Sequence, residues 1–434
     1  MNADVRAIKT PTEQALNAAF TSARGKMPGK GIIDQLREEA FRRFDAAGLP
    51  HRRIEEWKYT DLRALMREAK PLAEPVKTKG HVSTLPGVEA NSIAIVNGHY
   101  EPRWSSFDAH GSNIALNELF AFLEQRPSYR TGEMPGKDDT AFWLNTAFMT
   151  GGVVLHVKKN ARIEKPVHIA HVFAGETGAA MYPRSVVIVE PGAQLTLIES
   201  FEGPTAVDYQ VNSALELVIG DGAQVDHIKI GYDGDATLRV STLGVTVGAD
   251  ATYRDFAFTV GGAVVRNQTF VRFVGEGTQA SVGGATLVKG RQHVDNTLVI
   301  EHAAGGCTSR ERFRTVLDGE SHGIFQGKIV VEPHAQKTDA KMASHALLLS
   351  DEAEADNKPE LEIFADDVQC GHGATAGALD SALKFYLMSR GIPEKQAEAL
   401  LIQAFVGQAI EEIADESIRD TLMDRATKWL EARE

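Results

Sequence analysis

The chain has little cysteine: only Cys307 and Cys370 occur among its 434 residues. Two cysteines cannot build the disulfide framework of a small secreted protein, and they suit a reducing compartment. They also cannot supply the thiolates, commonly about four, that hold an iron–sulfur cluster. Any cluster on this chain must therefore take ligands from other residue types or from a partner.

Long apolar runs and an export signal are also missing. No uncharged apolar stretch approaches the roughly 18 residues that a membrane-spanning helix needs, and residues 1–12 mix acidic and basic side chains. We therefore predict a cytoplasmic protein. Basic residues are in deficit, since 46 Lys and Arg stand against 59 Asp and Glu for a net charge of −13. This balance excludes a generic nucleic-acid binder.

The sequence motifs of the common enzyme classes are absent. The segment GKMPGK at 25–30 lacks both the spacing and the hydroxyl residue of an ATP-binding P-loop. No G-x-S-x-G, H-E-x-x-H or C-x-x-C occurs. We predict that the chain does not hydrolyse ATP, and the patterns for a serine nucleophile, a zinc protease or a thiol redox site have no support.

The most prominent feature of the sequence is a pattern typical of β-strands. From about residue 152 to 350, short runs of Val, Ile, Leu and Thr alternate with polar residues, as is typical of strands. Small turn residues recur at spacings of 26 to 32 residues, at 160–161, 192–193, 222–223, 248–249 and 275–277. Such a repeat indicates stacked coils that bury together what one coil cannot bury alone. We predict a β-helix, with a sandwich or barrel as the alternative.

Helical spacing precedes this region. Residues 13–69 show it with a break at 48–50, and a proline-containing linker follows, so we place an N-terminal helical region and linker at 1–90. Residues 91–150 form a mixed α/β lead-in, with a strand at 93–97, a turn at Asn97-Gly98, and helical spacing at 114–124 and 140–148. The β-helix core is placed at 151–379.

Helical spacing returns in a C-terminal domain at 380–434. Asp380 begins a segment that runs through Arg390, and Gly391 and Pro393 supply a stop and a new start. An amphipathic face is predicted on the next helix at Ala397, Leu400, Leu401, Ala404 and Phe405. The last helix carries a second apolar stripe, at Ile418, Leu422, Ala426, Trp429 and Leu430. These stripes are expected to pack on the β core, and a partner could dock on the same helices.

One dense segment could carry chemistry. Cys370 and His372 are two residues apart, so in an extended strand both would face one side about 7 Å apart and could reach one ion. A lone buried cysteine is more often a small packing residue, and a C-x-H pair alone is a weak signal. His334 and His345 are as easily solvated or packed as ligating.

The same segment belongs to a longer pattern that resembles the SufB/SufD family of iron–sulfur cluster assembly proteins. Its order is specific: SHALLLS at 344–350, KPELEI at 358–363, DDVQCGHGAT at 366–375 and FYLMSRGI at 385–392. Upstream, GKI at 327–329 with Gln336, Thr338 and Asp339, and EWKYT at 56–60, are similar too. The N-terminal C-x-x-C that the SufB branch can carry is absent, so the resemblance is to the other branch.

The resemblance implies a right-handed parallel β-helix between helical terminal regions, and a non-catalytic scaffold that assembles with SufB and the ATPase SufC. It implies that Cys370 and His372 lie near the SufB interface and serve as a transient iron or iron–sulfur site, with His372 the stronger candidate. Reduced FAD is implied for the complex only, and a homodimer is possible for the isolated chain. We expect partner contacts from Phe385, Tyr386, Arg390, Leu400, Leu401 and Phe405.

Two other functions compete with this reading. A carbohydrate-active β-helix enzyme would need paired carboxylates on neighbouring coils, but Asp366 and Asp367 are adjacent and would face opposite sides of a strand. A hexapeptide-repeat acyltransferase is suggested faintly by IGDGAQ at 219–224. Its period should be near six, whereas the turns here recur near thirty.

Overall fold

A computed structural model describes residues 9–82, 85–107, 113–126, 129 and 134–433. Strands stacked in parallel coils form its core, and helices from both ends of the chain flank the stack. The predicted fold class, a mainly β protein with a parallel β-helix core and helical terminal regions, is confirmed. The expectation about an export signal falls mostly on residues 1–8, which lie outside the described residues. In the part of the chain that is described, no helix is long and apolar enough to cross a membrane.

The N-terminal region is helical. It contains α1 (Pro11–Ala23), α2 (Ile32–Ala47), a 3₁₀ turn (Glu55–Trp57) and α3 (Leu62–Leu65). Thr10 and Glu13 form a reciprocal capping box at the start of α1, which satisfies otherwise unpaired N–H groups. Gly48 follows α2 with φ +77°, so the predicted break at 48–50 is where this helix ends.

The lead-in confirms some predictions and corrects one. It contains β1 (Asn91–Val96), β2 (His99–Tyr100), β3 (Ile114–Glu118), α4 (Leu119–Gln125) and α5 (Thr140–Phe148). The strand, the turn at Asn97-Gly98 and the helix at 140–148 are present. The helix predicted at 114–124 is half wrong, because its first five residues form β3 and pair antiparallel with a core strand, Ile114 opposite Val157.

Seventeen further strands build the solenoid. They are β4 (Val153–Val157), β5 (Val167–Val172), β6 (Ala180–Met181), β7 (Arg184–Val189), β8 (Gln194–Glu202), β9 (Gln210–Ile219), β10 (Gln224–Tyr232), β11 (Leu238–Val247), β12 (Thr252–Val260), β13 (Val264–Phe273), β14 (Gln279–Val288), β15 (His293–His302), β16 (Thr308–Leu317), β17 (His322–Val331), β18 (Asp339–Leu348), β19 (Glu354–Ile363) and β20 (Gln369–Gly377).

From β7 onward, successive strands of the chain belong alternately to two sheets. One sheet has the order β2-β1-β5-β8-β10-β12-β14-β16-β18-β20, and the other has the order β19-β17-β15-β13-β11-β9-β7-β4-β3. We call them the even sheet and the odd sheet. Core neighbours pair in parallel, and Gln224 is opposite Thr252, which is opposite Gln279. These offsets of 28 and 27 residues are the coil length that the turn spacing predicted.

The predicted turn residues form the same corner of five successive coils. Asn160, Gly192, Gly222 and Gly277 have positive φ, whereas in the fourth turn Asp250 takes this conformation instead of Gly248. Successive corners are hydrogen-bonded, because the Gly192 N–H donates to the Asp221 carbonyl at 2.9 Å and the Gly222 N–H to the Ala249 carbonyl at 2.7 Å. The alanines that follow these turns are buried inside the coil, which explains why small residues recur there.

The C-terminal helices are α6 (Ser381–Ser389), α7 (Glu394–Ile410) and α8 (Glu416–Glu431). Asp380 caps α6, and α8 buries the predicted stripe except for Leu430, which is half-buried. The predicted face of α7 is only partly right: Ala397 is buried, Leu401 and Phe405 are half-buried, and Phe405 packs against the even-sheet cluster. Leu400 and Ala404 are exposed, and the residues that are buried toward the even sheet and α8 are Ile402, Val406, Ala409 and Ile410. α7 itself carries apolar residues on all its faces. Its packing against the sheet therefore decides which face is buried, and its sequence periodicity does not.

Candidate functional site

The last coil leaves the solenoid open. β19 is the terminal strand of the odd sheet and β20 that of the even sheet, so each has one paired side and one side without a partner strand among the described residues. Both strands are largely exposed or half-buried, in contrast to the strands beneath them. Ile363 and Phe364 are exposed beside this edge, Phe364 by 60%. An open edge flanked by apolar side chains is a surface on which another chain could add strands.

Cys370 and His372 lie on β20 at this open end. Cys370 is opposite Ala340 and His372 is opposite Met342 on β18, and both of those residues belong to the core inside the coils. The two side chains therefore share the inward face, as their spacing predicted. Cys370 is half-buried and packs against that core, whereas His372 is exposed because no further coil covers it. We call the space that they line the mouth.

The Cys370 thiol is free. Burial raises its pKa, and the carboxyls of Asp339 and Glu311 raise it further. A thiol in this state is a poor nucleophile until a metal displaces its proton. No three His, Cys, Asp or Glu side chains of the described residues already converge on one point, so any metal here needs a further ligand or a side-chain movement.

A second tier lies beneath the mouth. Glu311 on β16 is opposite Met342, so Glu311, Met342 and His372 form one inward file. Glu311 is fully buried and neither carboxyl oxygen has a hydrogen-bond partner. Burial raises the pKa of Glu311 to about 8. Sequence reasoning missed this residue, although it lies two positions before Phe313 on the same strand and therefore on the same inward face.

The predicted partner-binding residues fall into two groups. Phe385, Tyr386 and Leu400 are exposed, Phe385 by 73%, and no residue of α6 is buried. The Arg390 guanidinium lies over the Tyr386 ring at 5.1 Å. Phe385, Tyr386, Leu400, Leu383 and Met388 make a surface that we call the α6 patch.

Leu401 and Phe405 are placed differently from the α6 patch. Both are half-buried. The Arg314 guanidinium lies over the Phe405 ring, 4.6 Å from the ring centre. Arg314 lies on the even sheet, so Phe405 helps to hold α7 against the solenoid. The apolar side chains farther along α7 and α8 are likewise packed on that sheet or on each other. The exposed apolar surface of the C-terminal helices is therefore concentrated in α6 and the start of α7.

The EWKYT motif at 56–60 fastens the N-terminal region to the odd sheet. The Arg266 guanidinium lies 3.8 Å from the centre of the Trp57 ring, and the Trp57 indole N–H donates to the Asp139 carboxylate at 2.8 Å. The Thr60 hydroxyl donates to Asp295, which is paired with Arg266. Arg266 and Asp295 are both fully buried. The motif therefore has a packing role that its sequence alone did not show.

A buried charged cluster inside the lower coils was also missed by sequence reasoning. His227 Nδ1 lies 2.6 Å from Asp255, His171 Nε2 lies 3.1 Å from Glu199, and Lys229 Nζ lies 3.8 Å from Glu199. Burial alone would raise the pKa of Glu199, but the charges of Lys229 and the two histidines hold it at about 2. β14, β16 and β18 separate this cluster from β20, so it does not belong to the mouth.

The carboxylates considered for a carbohydrate-active enzyme do not form a pair across a cleft. Asp366 and Asp367 lie in the turn between β19 and β20, and Asp367 is paired with Lys337. The glycine-containing segment 25–31 does not form a dinucleotide cradle. α2 follows it, but the element before it is a helix and not the strand that such a cradle requires. FAD thus remains an expectation for the assembled complex.

Comparison with known proteins gives a consistent result. The family model described as "SUF system FeS cluster assembly, SufBD core domain" matches residues 171–405, and the model for the SufBD protein N-terminal region matches residues 12–169. The two matches meet within β5, and together they cover the N-terminal helices, the solenoid, α6 and most of α7, whereas α8 lies beyond them.

Individual relatives carry the same description. The chain is 29% identical over 386 residues to iron-sulfur cluster assembly protein SufD of Escherichia coli (strain K12), covering 87% of this chain and 88% of that protein. It is 28% identical over 433 residues to a SufBD family protein of Synechocystis, covering 95% of each. A SufBD family protein of Mycobacterium leprae is 30% identical over 334 residues, which is 72% of this chain and 83% of the relative.

Proposed function

The chain belongs to the SufBD family of the SUF system for iron–sulfur cluster assembly, and we propose that it is a SufD-type, non-catalytic scaffold subunit. In this proposal it acts in the cytoplasm, pairs with SufB, engages the ATPase SufC, and helps them to build and transfer nascent clusters. The observation that carries the proposal is the open last coil, which places an unpaired strand edge, exposed apolar residues and the Cys370–His372 pair in one location.

SufB is assigned to the edges of β19 and β20. A second solenoid that stacks on this end would pair with both free edges and cover Ile363 and Phe364. It would also bring its own side chains to the mouth, where this chain offers Cys370 and His372 but too few ligands for a complete site. A transient iron or iron–sulfur cluster shared across the interface is then the cargo.

SufC is assigned to the α6 patch. Five large apolar side chains are exposed on one short helix and the start of the next, and such a concentration of exposed apolar residues marks protein interfaces. Truncation after Gly391 would be a poor test, because removing α7 and α8 would uncover the apolar face of the even sheet that they bury. Substitutions on the patch itself leave that packing intact.

The test is co-purification of the chain with SufB and SufC from one source. We expect Phe385→Ser with Tyr386→Ser to lose SufC and keep SufB, and Phe364→Asp to lose SufB and keep SufC. Ile32→Ser is the matched control, since Ile32 is an exposed apolar residue on α2. Retention of both partners by all variants, with circular dichroism matching the parent, would contradict the assigned surfaces, and failure of the parent to bind either partner would contradict the function.

A further inference from the structure

The inward file at the open end contains a carboxyl that the fold does not compensate. Glu311 lies two strands beneath His372 in the even sheet, with Met342 between them. In the adjacent file Ser309 and Ala340 lie beneath Cys370. Because Ala340 carries only a methyl group, little side-chain volume separates Cys370 from the level of Glu311.

Buried carboxyls in folded proteins are almost always hydrogen-bonded or paired. Neither oxygen of Glu311 has a partner within hydrogen-bond distance, and the side chain has no exposed surface. The nearby Ser309 hydroxyl and the charges of Arg310 and Arg312 lower the pKa of Glu311, but burial outweighs them. Arg310 and Arg312 are its sequence neighbours, but they occupy the outward face, where they pair with Asp339 and Glu412. A carboxyl that is aimed into the coil and left without a partner is suited to a ligand that arrives from outside.

Met342 lies between the mouth and Glu311 in the inward file. The Met342 sulfur reaches across the interior to Gly327 on the odd sheet, where an added Cβ would lie only 2.3 Å from it. Methionine is unbranched and adapts its shape readily, so a change of the Met342 rotamer is the movement that the proposal requires. The absence of a side chain at Gly327 leaves the space that Met342 occupies.

We propose that the mouth is the outer tier of a two-tier iron site, in which ferrous iron that enters past Cys370 and His372 is bound further inside by the carboxylate of Glu311 once Met342 moves aside. This inference rests on the proposed function, because it takes iron as the cargo of the mouth. A carboxylate, an imidazole and a thiolate are all ligands that ferrous iron accepts. The inner tier would shield the ion from solvent before the partner's ligands receive it.

The test is anaerobic titration of the full chain with Fe(II), followed by equilibrium dialysis and iron analysis. Glu311→Gln keeps the size of the side chain and removes the charge. The matched control is Glu360→Gln, which removes a carboxylate from the outward face of the last coil. We expect Glu311→Gln to weaken Fe(II) binding by about tenfold or more, as the loss of an anionic ligand does, and Glu360→Gln to leave it unchanged.

The outcomes separate this inference from the proposed function. Weaker binding in both Glu311→Gln and His372→Ala supports the two tiers. Loss in His372→Ala alone overturns the inner tier and leaves the mouth as a metal site. Unchanged binding in both variants, or no binding by the parent, overturns the two-tier site, whereas the scaffold function is judged separately by partner capture. Anomalous scattering from iron in parent crystals gives a second readout: a peak within bonding distance of Glu311 supports the inner tier, and a peak only at the surface overturns it.

Discussion

Replacing Glu311 by glutamine tests whether the carboxyl is really uncompensated. In the unfolded chain this group ionises near its ordinary value of 4.5, whereas burial raises its pKa in the folded protein to about 8. Between these two values the folded state holds a proton that the unfolded state has lost. Raising the pH therefore favours the unfolded state, and the parent loses stability through this window.

The size of the effect follows from the shift. Each pKa unit corresponds to about 1.36 kcal/mol, so between pH 5 and pH 7.5 the parent should lose about 3 kcal/mol through Glu311 alone. Below pH 4.5 both states are protonated and above pH 8 both are ionised, so the dependence ends there. Glutamine cannot ionise, and the variant should lack this loss. With an unfolding entropy of about 2.1 cal/mol/K per residue, the loss corresponds to roughly 3 to 4 °C in Tm for a chain of this length.

The assay is thermal unfolding of the parent, Glu311→Gln and Glu360→Gln at intervals from pH 4.5 to 8. The Tm of Glu311→Gln should rise relative to the parent as the pH increases, while the Glu360→Gln curve should stay parallel to the parent. Parallel curves for all three proteins would show that Glu311 is compensated in the folded state and would refute the reasoning.

Two further predictions concern the scaffold. Asp295→Ala leaves the buried Arg266 guanidinium without its carboxylate and should cost about 3 to 5 kcal/mol of the free energy of unfolding, measured by urea denaturation; a loss below about 1 kcal/mol would contradict the account of the EWKYT attachment. Gly152→Ala should prevent stable folding, because its Cβ would lie 1.6 Å from the Arg184 carbonyl oxygen, whereas Gly371→Ala meets nothing within 4 Å and should fold like the parent; equal melting temperatures of the two variants would be inconsistent with this packing.

The β-solenoid could be predicted from sequence because its signal is repeated. Each coil places a small residue, or one with positive φ, at the same corner and an apolar residue at the same inward position. A wrong assignment of one strand is therefore outweighed by the same pattern in the neighbouring coils. The strand at Ile114 is not predictable from its own sequence, because five residues fit the helical and the strand period equally well. Its conformation is fixed by pairing with β4, a contact that its own sequence does not encode.

The candidate site was only partly predictable for the same reason. The i, i+2 spacing placed Cys370 and His372 on one face correctly, but their location at an open end depends on the order of the coils. Glu311 could have been noticed, since Arg310 and Arg312 alternate with it and Phe313 shares its face. Glutamate in a strand is ordinarily expected to be exposed, so its residue type alone argues against the inward face. The face of α7 could not be predicted, because Leu400 and Ile402 are equally apolar and only the docked sheet distinguishes them.

Iron and acid-labile sulfide in the complex of this chain with SufB and SufC, purified anaerobically, test most directly whether the open end supports cluster assembly. His372→Ala is compared with the parent and with His334→Ala, an exposed histidine on a turn. Gel filtration shows whether each complex is intact. The account predicts less iron and sulfide in an intact His372→Ala complex and no change in the control. Parental iron and sulfide in the intact His372→Ala complex would contradict it.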